Sequence, residues 1–283
     1  MTPRSWLLVP ADDEETLYTA LKSEADALIF DLEDAVVPDR KQHARELLRD
    51  VLRIRSGTGP QRWVRINQLE SEFYGADLAC CEELDLTGLV LPKAERGEQI
   101  RRLAADVMES GWQLHAMVGE TPASLFHLGS FPECSSELVA MSWGIDDLTV
   151  GLGATSKFDS DGQLSFTHRM ARSLCLAAAK AAGVQAIDAV HRDVTDEQRL
   201  VHETEAARRE GFTGKLAVDV SQVPVINKAF TPTVEEVAAA RAIVDAFEAQ
   251  PNRGVLNVGA RMVDRTRLMQ ARGVIQRAEA TND

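Results

Sequence analysis

Residues Ala27-Leu-Ile-Phe-Asp-Leu-Glu-Asp-Ala-Val36 join a short apolar run to a cluster of acids. Ala27–Phe30 is continuous and partly β-branched, which is typical of a strand buried on both faces. It ends in Asp31, Glu33 and Asp34, whose charges repel one another unless a cation or basic side chains lie among them. Because Asp and Glu also favour the first turn of a helix, this stretch alone fits either a functional cluster or a helix start.

The same pattern recurs along the chain, where eight short apolar runs alternate with longer stretches of helical period. The runs are Trp6–Val9, Ala27–Phe30, Trp63–Ile66, Gly88–Leu91, Leu114–Val118, Leu138–Trp143, Gln185–Ile187 and Leu216–Val218. The helical stretches include Glu14–Ser23, Lys41–Arg53, Glu98–Ser110, Arg169–Ala182 and Asp196–Glu210. This alternation favours parallel strands with right-handed crossovers, and eight such units in about 220 residues predict a (β/α)8 barrel. A doubly wound open sheet is the alternative, but no Gly-rich phosphate loop follows the first run.

The C-terminal part of the chain departs from this alternation. Thr231-Pro-Thr-Val-Glu235 starts another helix, which Pro251-Asn-Arg-Gly254 ends. From Gly259 the sequence predicts a loop that enters a final amphipathic helix. We therefore expect a barrel domain over residues 1–230 and a helical extension over 231–283, packed on the barrel or reaching a neighbouring subunit.

Composition narrows the classes of function. The chain has 283 residues, 45% of them hydrophobic and 27% charged, with a formal net charge of −13. This balance argues against general binding of nucleic acids or anionic membranes, which needs a basic surface. No signal peptide or bilayer-spanning run is visible, and the cysteines lack zinc-like spacing. We therefore expect a protein of the reducing cytoplasm.

Polar residues close nearly every apolar run. They are Asp31, Glu33 and Asp34 after the second run, then Arg65 and Asn67, Lys93 and Glu95, Glu120, Asp146 and Asp147, Asp188, and Asp219. In a barrel these ends share the face on which active sites are built. Loop polarity alone predicts some polar residues there, so the constellation carries more weight than any single member.

The residue types in this constellation favour a hard cation. Many carboxylates with few histidines suggest Mg²⁺, which takes one or two protein carboxylates and completes its coordination with water and substrate oxygens. The six histidines form neither an HxH nor an HExxH pattern, which disfavours zinc. A neighbouring Arg can neutralise an oxyanion or bind a substrate carboxylate. Carbon–carbon lysis beside a carbonyl and metal-assisted hydrolysis both suit such a site.

Nine segments, in order along nearly the whole chain, resemble the citrate lyase β-chain family within the superfamily of metal-dependent 2-keto-acid aldolases and acyl-CoA lyases. They are Arg4–Pro10, Asp31–Val36, Val64–Asn67, Leu91–Glu95, Met117–Thr121, Trp143–Leu148, Ala186–Asp188, Gly211–Lys215 and Gly259–Asp264. The resemblance implies a (β/α)8 barrel, usually trimeric or hexameric.

The resemblance also implies the metal ligands. Carried over by position, Glu120 and Asp147 are the expected Mg²⁺ ligands, with Asp146 as the alternative to Asp147. Glu33 and Asp34 resemble acids that orient metal-bound water, and we expect a catalytic role for Glu33 and a substrate-binding role for Asp34.

Three further residues are assigned by the same resemblance. Arg65 is expected to contact the keto-acid carboxylate or the developing oxyanion. Asp264 lies in a segment that, in acyl-CoA lyases of this type, caps a neighbouring subunit's site and supplies a general acid/base; otherwise it is the N-cap of the last helix. Lys93 is expected to bind substrate, or else to form a salt bridge at the barrel rim.

The implied activity is a Mg²⁺-dependent carbon–carbon lyase that cleaves a citryl-, malyl- or citramalyl-like thioester to a 2-keto acid and an acyl-CoA. The alternatives are an acyl-CoA thioester hydrolase, a CoA-independent 2-keto-acid aldolase, and a non-catalytic accessory subunit. Departures from the family pattern, such as Val218-Asp-Val-Ser-Gln222 in place of Ile-His-Pro-Ser-Gln, leave the acyl group and its carrier, CoA or a carrier protein, open.

Overall fold

Eight parallel strands close into a barrel in the order β1 to β8. The structure, a computed structural model, describes residues 2–53 and 59–282, apart from the side chains of residues 281 and 282. The strands are β1 (Ser5–Pro10), β2 (Ala27–Asp31), β3 (Gln61–Arg65), β4 (Gly88–Leu91), β5 (Gln113–Val118), β6 (Leu138–Trp143), β7 (Gln185–Asp188) and β8 (Gly214–Ala217). The predicted (β/α)8 barrel is confirmed.

Helices cover the outside of the barrel. They are α1 (Glu14–Leu21), α2 (Lys41–Leu52), α3 (Tyr74–Cys81), α4 (Gly97–Asp106), α5 (Pro122–Leu125), α6 (Ile145–Gly151), α7 (Phe166–Ala181), α8 (Glu197–Glu210) and α9 (Val223–Phe230). Short 3-10 turns cover Pro38–Arg40, Leu128–Cys134 and Val220–Gln222. Because helices cover the outer face and side chains fill the interior, every residue of β2, β4 and β8 is buried.

Large side chains fill the barrel interior. The cluster takes at least one residue from every strand: Trp6, Ala27, Ile29, Trp63, Val90, Met117, Ala140, Ile187 and Leu216. The Trp6 and Trp63 rings lie 5.1 Å apart, and the His115 ring meets both edge-on. The barrel is therefore packed rather than open, so ligands are confined to its ends.

Strands β3 and β8 each begin two residues before their predicted starts. Strand β3 begins at Gln61, before the expected Trp63. Strand β8 begins at Gly214, before the expected Leu216, because the buried Lys215 interrupts the apolar run. The Lys215 N–H donates to the Arg4 carbonyl, and a Cβ on Gly214 would lie 2.7 Å from that oxygen. Glycine thus allows β8 to approach the start of β1 and close the barrel.

By its internal contacts the chain divides into two compact units, Pro3–Asn227 and the segment from Lys228 onward with the extreme N-terminus. The second unit holds α10 (Val234–Ala249), β9 (Val255–Val258), β10 (Arg261–Asp264) and α11 (Arg265–Asn282). Its core is Phe247, Leu256, Val263 and Leu268. The loop expected from Gly259 is wrong: β9 and β10 form an antiparallel hairpin whose turn begins with Gly259 at a φ of 58°.

Two further findings concern the whole chain. Within residues 2–53 and 59–282, none of the helices combines the length and apolar character needed to cross a membrane. Cys80, Cys81, Cys134 and Cys175 are buried free thiols.

Candidate active site

A cavity of about 280 Å³ opens at the carboxyl ends of the barrel strands. Its charged lining residues are Asp31, Asp34, Arg65, Glu120, Asp146, Asp147 and Arg192, and Leu8, Met117 and Leu216 contribute apolar surface. Four of the seven predicted site residues line it: Asp34, Arg65, Glu120 and Asp147. A larger cavity of about 800 Å³, lined by residues of α7 and α8, includes neither predicted metal ligand, so volume alone does not identify the site.

Arg65 is held by two carboxylates. Asp31 and Arg65 pair across β2 and β3, and the guanidinium donates from Nε to Asp31 Oδ1 at 2.7 Å and from Nη2 to Oδ2 at 2.5 Å. Its Nη1 lies 3.3 Å from Glu33 Oε2. Burial favours loss of the proton, but the Asp31 carboxylate outweighs it and raises the pKa of Arg65. The guanidinium is therefore a fixed positive charge at the cavity wall.

Asp31 is a residue whose role the sequence analysis missed. Besides Arg65, its two carboxylate oxygens accept the backbone N–H groups of Glu33 and Ala35. It therefore fixes both the arginine and the loop that carries Glu33 and Asp34. The available signal was its place at the end of a strand whose neighbour ends in Arg65.

Lys93 links the acid cluster to Glu120. Its φ of 48° is unusual for a residue with a side chain, and it directs the Lys93 N–H to Glu120 Oε2 at 2.5 Å. Its ammonium donates to Asp34 Oδ2 at 2.6 Å and to Glu33 Oε1, and lies 3.8 Å from Asp147 Oδ1. These contacts form the salt bridge at the barrel rim that was the alternative interpretation of Lys93. The substrate-binding role of Lys93 stays a prediction.

The pKa values of the two acids bound to Lys93 are shifted in opposite directions. Burial raises the pKa of Glu33, although Arg65 and Lys93 oppose the shift. At Asp34 burial also favours the proton, but the hydrogen bond from Lys93 outweighs it and lowers the pKa. Asp34 thus stays ionised more readily than an ordinary aspartate, and Glu33 holds a proton more readily than an ordinary glutamate.

Glu120 is buried with one oxygen unsatisfied. Its Oε2 accepts from Lys93, and its Oε1 has no hydrogen-bond partner among the described residues. Burial, helped by the charges of Asp147 and Glu33 and opposed by Arg65, raises the pKa of Glu120 to about 8. A cation beside the carboxylate would satisfy Oε1 and favour the charged form, so this residue fits a metal ligand.

The adjacent acids Asp146 and Asp147 have different partners. Asp146 Oδ1 accepts from Lys157 Nζ at 2.5 Å and Oδ2 from Arg192 Nε at 2.8 Å. Burial favours its proton, but the hydrogen bonds from these two cations outweigh it and lower the pKa of Asp146. Among the described residues, Asp147 has only the Lys93 ammonium, 3.8 Å away, as an ion-pair partner, and its charge acts on Glu120. The geometry therefore favours Asp147 over Asp146 as the partner of Glu120.

The carboxylate pair suits a cation that needs few protein ligands. No group of three or more His, Cys, Asp or Glu side chains within the described part of the chain could by itself hold a metal ion. Mg²⁺ commonly takes one or two carboxylates and keeps positions for water and substrate. The residues present fit Mg²⁺ in that arrangement.

Not every polar strand end contributes to this cavity. Asp188 is buried against Trp143, Arg172 and Lys215, and Asp219 accepts from Ser221 in a local turn. Neither lines the cavity, so these two strand-end residues contribute no surface to it. Asp264 caps the first turn of α11 in the C-terminal unit, where its Oδ1 accepts the Arg267 N–H at 2.9 Å.

Comparison with known proteins gives the chain a family. The profile described as HpcH/HpaI aldolase/citrate lyase matches residues 4–220. The chain belongs to this family. The predicted resemblance is thereby confirmed, and the HpcH/HpaI aldolase/citrate lyase family is one of enzymes.

Individual members of the HpcH/HpaI aldolase/citrate lyase family align over most of the chain. A (3S)-malyl-CoA thioesterase of Cereibacter sphaeroides is 33% identical over 98% of this chain and 95% of its own length. A citrate lyase subunit beta-like protein of Mycobacterium tuberculosis is 34% identical over 98% and 97%. The crystal structure of CitE from M. tuberculosis in complex with magnesium, acetoacetate and coenzyme A has a TM-score of 0.83 and 33% identity, covering 98% of both chains.

Proposed function

We propose that the protein is a Mg²⁺-dependent carbon–carbon lyase that cleaves a 3-hydroxy-3-carboxyacyl thioester, of citryl, malyl or citramalyl type, to a 2-keto acid and an acyl-CoA. The observation that carries this proposal is the buried Glu120, whose Oε1 lacks a partner among the described residues, beside Asp147 and the fixed charge of Arg65. Support also comes from the CitE neighbour, which holds magnesium and coenzyme A.

Glu120 and Asp147 would hold Mg²⁺. When bound there, the ion supplies positive charge that stabilises the carboxylate and oxyanion oxygens of the substrate. The Lys93 N–H orients the Glu120 carboxylate, and the Lys157–Arg192 pair keeps Asp146 engaged elsewhere. Glu33 and Asp34, fixed by Arg65 and Lys93, are placed to accept hydrogen bonds from bound water.

In the cleavage, the substrate hydroxyl passes its proton through bound water to the Glu33 carboxylate, and its carbon becomes the carbonyl of the 2-keto acid. The bond between that carbon and the thioester α-carbon breaks, and its electron pair passes to the thioester enolate. Arg65, fixed by Asp31, stabilises negative charge on the substrate oxygens. Asp264, reaching the site from a neighbouring subunit, would return a proton to the enolate carbon as the general acid.

Calorimetric titration of oxaloacetate, pyruvate and glyoxylate, with Mg²⁺ and with EDTA, tests the site. We expect metal-dependent binding of at least one keto acid by the wild type and loss of that binding in Glu120→Ala. A panel of the three thioesters then tests the reaction, with keto acid measured as its hydrazone. If no thioester yields a keto acid in a Mg²⁺-dependent manner, the lyase proposal fails.

Thioester hydrolysis is the second candidate, favoured by the name of the C. sphaeroides relative. Hydrolysis adds water across the thioester and releases free CoA thiol with an intact hydroxy acid, whereas lysis releases a keto acid and leaves the thioester bond in the acyl-CoA product. Thiol titration and keto-acid measurement on one sample separate the two reactions. Cleavage of free hydroxy acids would indicate a CoA-independent aldolase, and an absence of Mg²⁺-dependent binding would indicate an accessory subunit.

The carrier of the acyl group and the assembly belong to the same proposal. Coenzyme A in the CitE neighbour supports an acyl-CoA over an acyl-carrier protein as the partner. Assembly as a trimer or hexamer and a cytoplasmic location stay predictions, which sedimentation and fractionation would check.

A further inference from the structure

The charges around the candidate active site are unevenly divided. On one side, Arg65 and Lys93 face three carboxylates, Asp31, Glu33 and Asp34, which gives a formal net charge of −1. At the centre, the two charges of Mg²⁺ would neutralise Glu120 and Asp147.

The opposite side of the cavity carries the opposite sign. There, Lys157 and Arg192 share the single carboxylate of Asp146, which gives a formal net charge of +1. The nearby Asp193 carboxylate accepts from the N–H and hydroxyl of Thr195 and forms no ion pair with Arg192. Among the ion-paired groups on the wall next to Asp147 there is thus one more cation than carboxylate.

Arg192 is the member of this group that a ligand can reach. It lines the cavity together with Glu120 and Asp147, and its side chain is 61% exposed. Within the described residues it donates only from Nε, to Asp146, so its two terminal nitrogens are available to another acceptor. Arg65 differs, because its guanidinium is already committed to Asp31 and Glu33.

Lys157 acts on the same wall without lining the cavity. Its ammonium lies 2.5 Å from Asp146 Oδ1 and so takes up part of the charge that would otherwise neutralise Arg192. The two adjacent aspartates thus have separate tasks. Asp147 faces the proposed metal, and Asp146 holds two cations beside it.

We infer that Arg192, supported by Asp146 and Lys157, forms a second anion subsite that selects acyl groups with an additional carboxylate. This inference rests on the proposed function and narrows its substrate class. The favoured thioester is citryl-like, so that lysis releases a dicarboxylic 2-keto acid. Malyl and citramalyl groups, whose keto acids carry one carboxylate, leave the subsite unfilled.

Oxaloacetate and pyruvate form a matched pair of probes, because they share the keto-acid head and differ by one carboxylate. The experiment measures the dissociation constants of both, freshly dissolved and with Mg²⁺, for the wild type, Arg192→Gln, Lys157→Gln and Arg209→Gln. The last variant removes the same charge from an exposed arginine that pairs with Glu205 and lines neither cavity.

We expect the wild type to bind oxaloacetate more tightly than pyruvate. Arg192→Gln should lower this preference by about tenfold to a hundredfold, the usual effect of losing a hydrogen bond to a charged group, and leave pyruvate affinity nearly unchanged. Lys157→Gln should lower the preference by a smaller factor, because Asp146 is then free to neutralise Arg192. Arg209→Gln should have no effect.

Two outcomes with this pair of probes would overturn the subsite and leave the proposed function standing. One is equal affinity of the wild type for both keto acids. The other is a loss in Arg192→Gln that is the same for both, which would place the arginine on the shared keto-acid head. If the wild type binds glyoxylate alone with Mg²⁺, the subsite is likewise overturned and the proposed function stands. If it binds none of the three keto acids, the proposed function fails and this inference fails with it.

Discussion

Glu120 is buried, and an unpaired carboxylate in a buried position lowers the stability of the folded protein. Burial raises its pKa from 4.5 to about 8, so the metal-free folded protein holds a proton that the unfolded chain has released. Its contribution to stability is complete below about pH 4.5 and is lost as the pH rises through about 8. We therefore expect the melting temperature of EDTA-treated protein to fall between pH 5.5 and 8.5, and Glu120→Gln to reduce this slope.

The exposed Glu70, which pairs with Arg102, supplies the control for this pH dependence. Glu70→Gln should keep the wild-type slope, because a surface ion pair contributes little to stability. An unchanged slope in Glu120→Gln would contradict the assignment and indicate that other groups cause the pH dependence.

At the residue scale, the sequence predicted several of the residues that line the cavity, but not the contacts that hold their side chains in place. Glu120 and Asp147 followed from the family resemblance, and the structure brings them together. The role of Asp31 depends on the β2–β3 register, which no local pattern reveals. Arg192 was missed because it follows β7 by four residues in an ordinary loop. Its position matters only once Asp146 is placed beside it.

At the scale of secondary-structure elements, Asp188 joins β6, β7, β8 and α7. It accepts from Trp143 Nε1 and Arg172 Nε, both at 2.9 Å, and lies 3.5 Å from Lys215 Nζ. Burial favours its proton, but Lys215 and Arg172 outweigh burial and lower the pKa of Asp188 to about 2. Its stabilising contribution is therefore complete above about pH 4 and is lost as the pH falls through about 2.

Asp188→Asn should destabilise the barrel, because it leaves the buried Lys215 without its counter-charge. Removing one partner of a buried ion pair costs about 3–5 kcal/mol. Urea unfolding followed by circular dichroism measures the loss. Asp219→Asn, which changes only a surface turn, should cost much less, and equal effects in the two variants would argue against the buried ion pair.

The predicted strand boundaries were wrong where polar residues lie near the start of a strand, as Gln61 and Arg62 do in β3 and Lys215 does in β8. The bounds of β4 and β6 agree with their runs. The start of β8 was missed because a lysine is not expected inside a buried strand. Lys215 is tolerated there because Asp188 on a neighbouring strand balances its charge. The β9–β10 hairpin was missed because only Leu256 and Val263 of its residues are buried, which is too few for a period-two signal.

At the scale of the whole molecule, the chain divides into two compact units, and its family match covers mainly one of them. The family profile ends at residue 220, whereas the malyl-CoA thioesterase and CitE relatives align over 98% of the chain. The C-terminal unit is therefore shared with those relatives. Its own core, formed by Phe247, Leu256, Val263 and Leu268, fixes the hairpin that ends in Asp264.

Asp264 has two interpretations that one substitution separates. As an N-cap it accepts the Arg267 N–H, and Asn caps a helix about as well as Asp, so Asp264→Asn should change stability little. As the general acid it must carry a transferable proton, which Asn lacks, so the same variant should lose about 10²–10⁴-fold in lyase turnover. Keto-acid binding, measured by calorimetry, should be unchanged. Asp264→Ala should also weaken the helix by about 1 kcal/mol. Full turnover in Asp264→Asn would leave only the capping role and require another proton donor for the enolate.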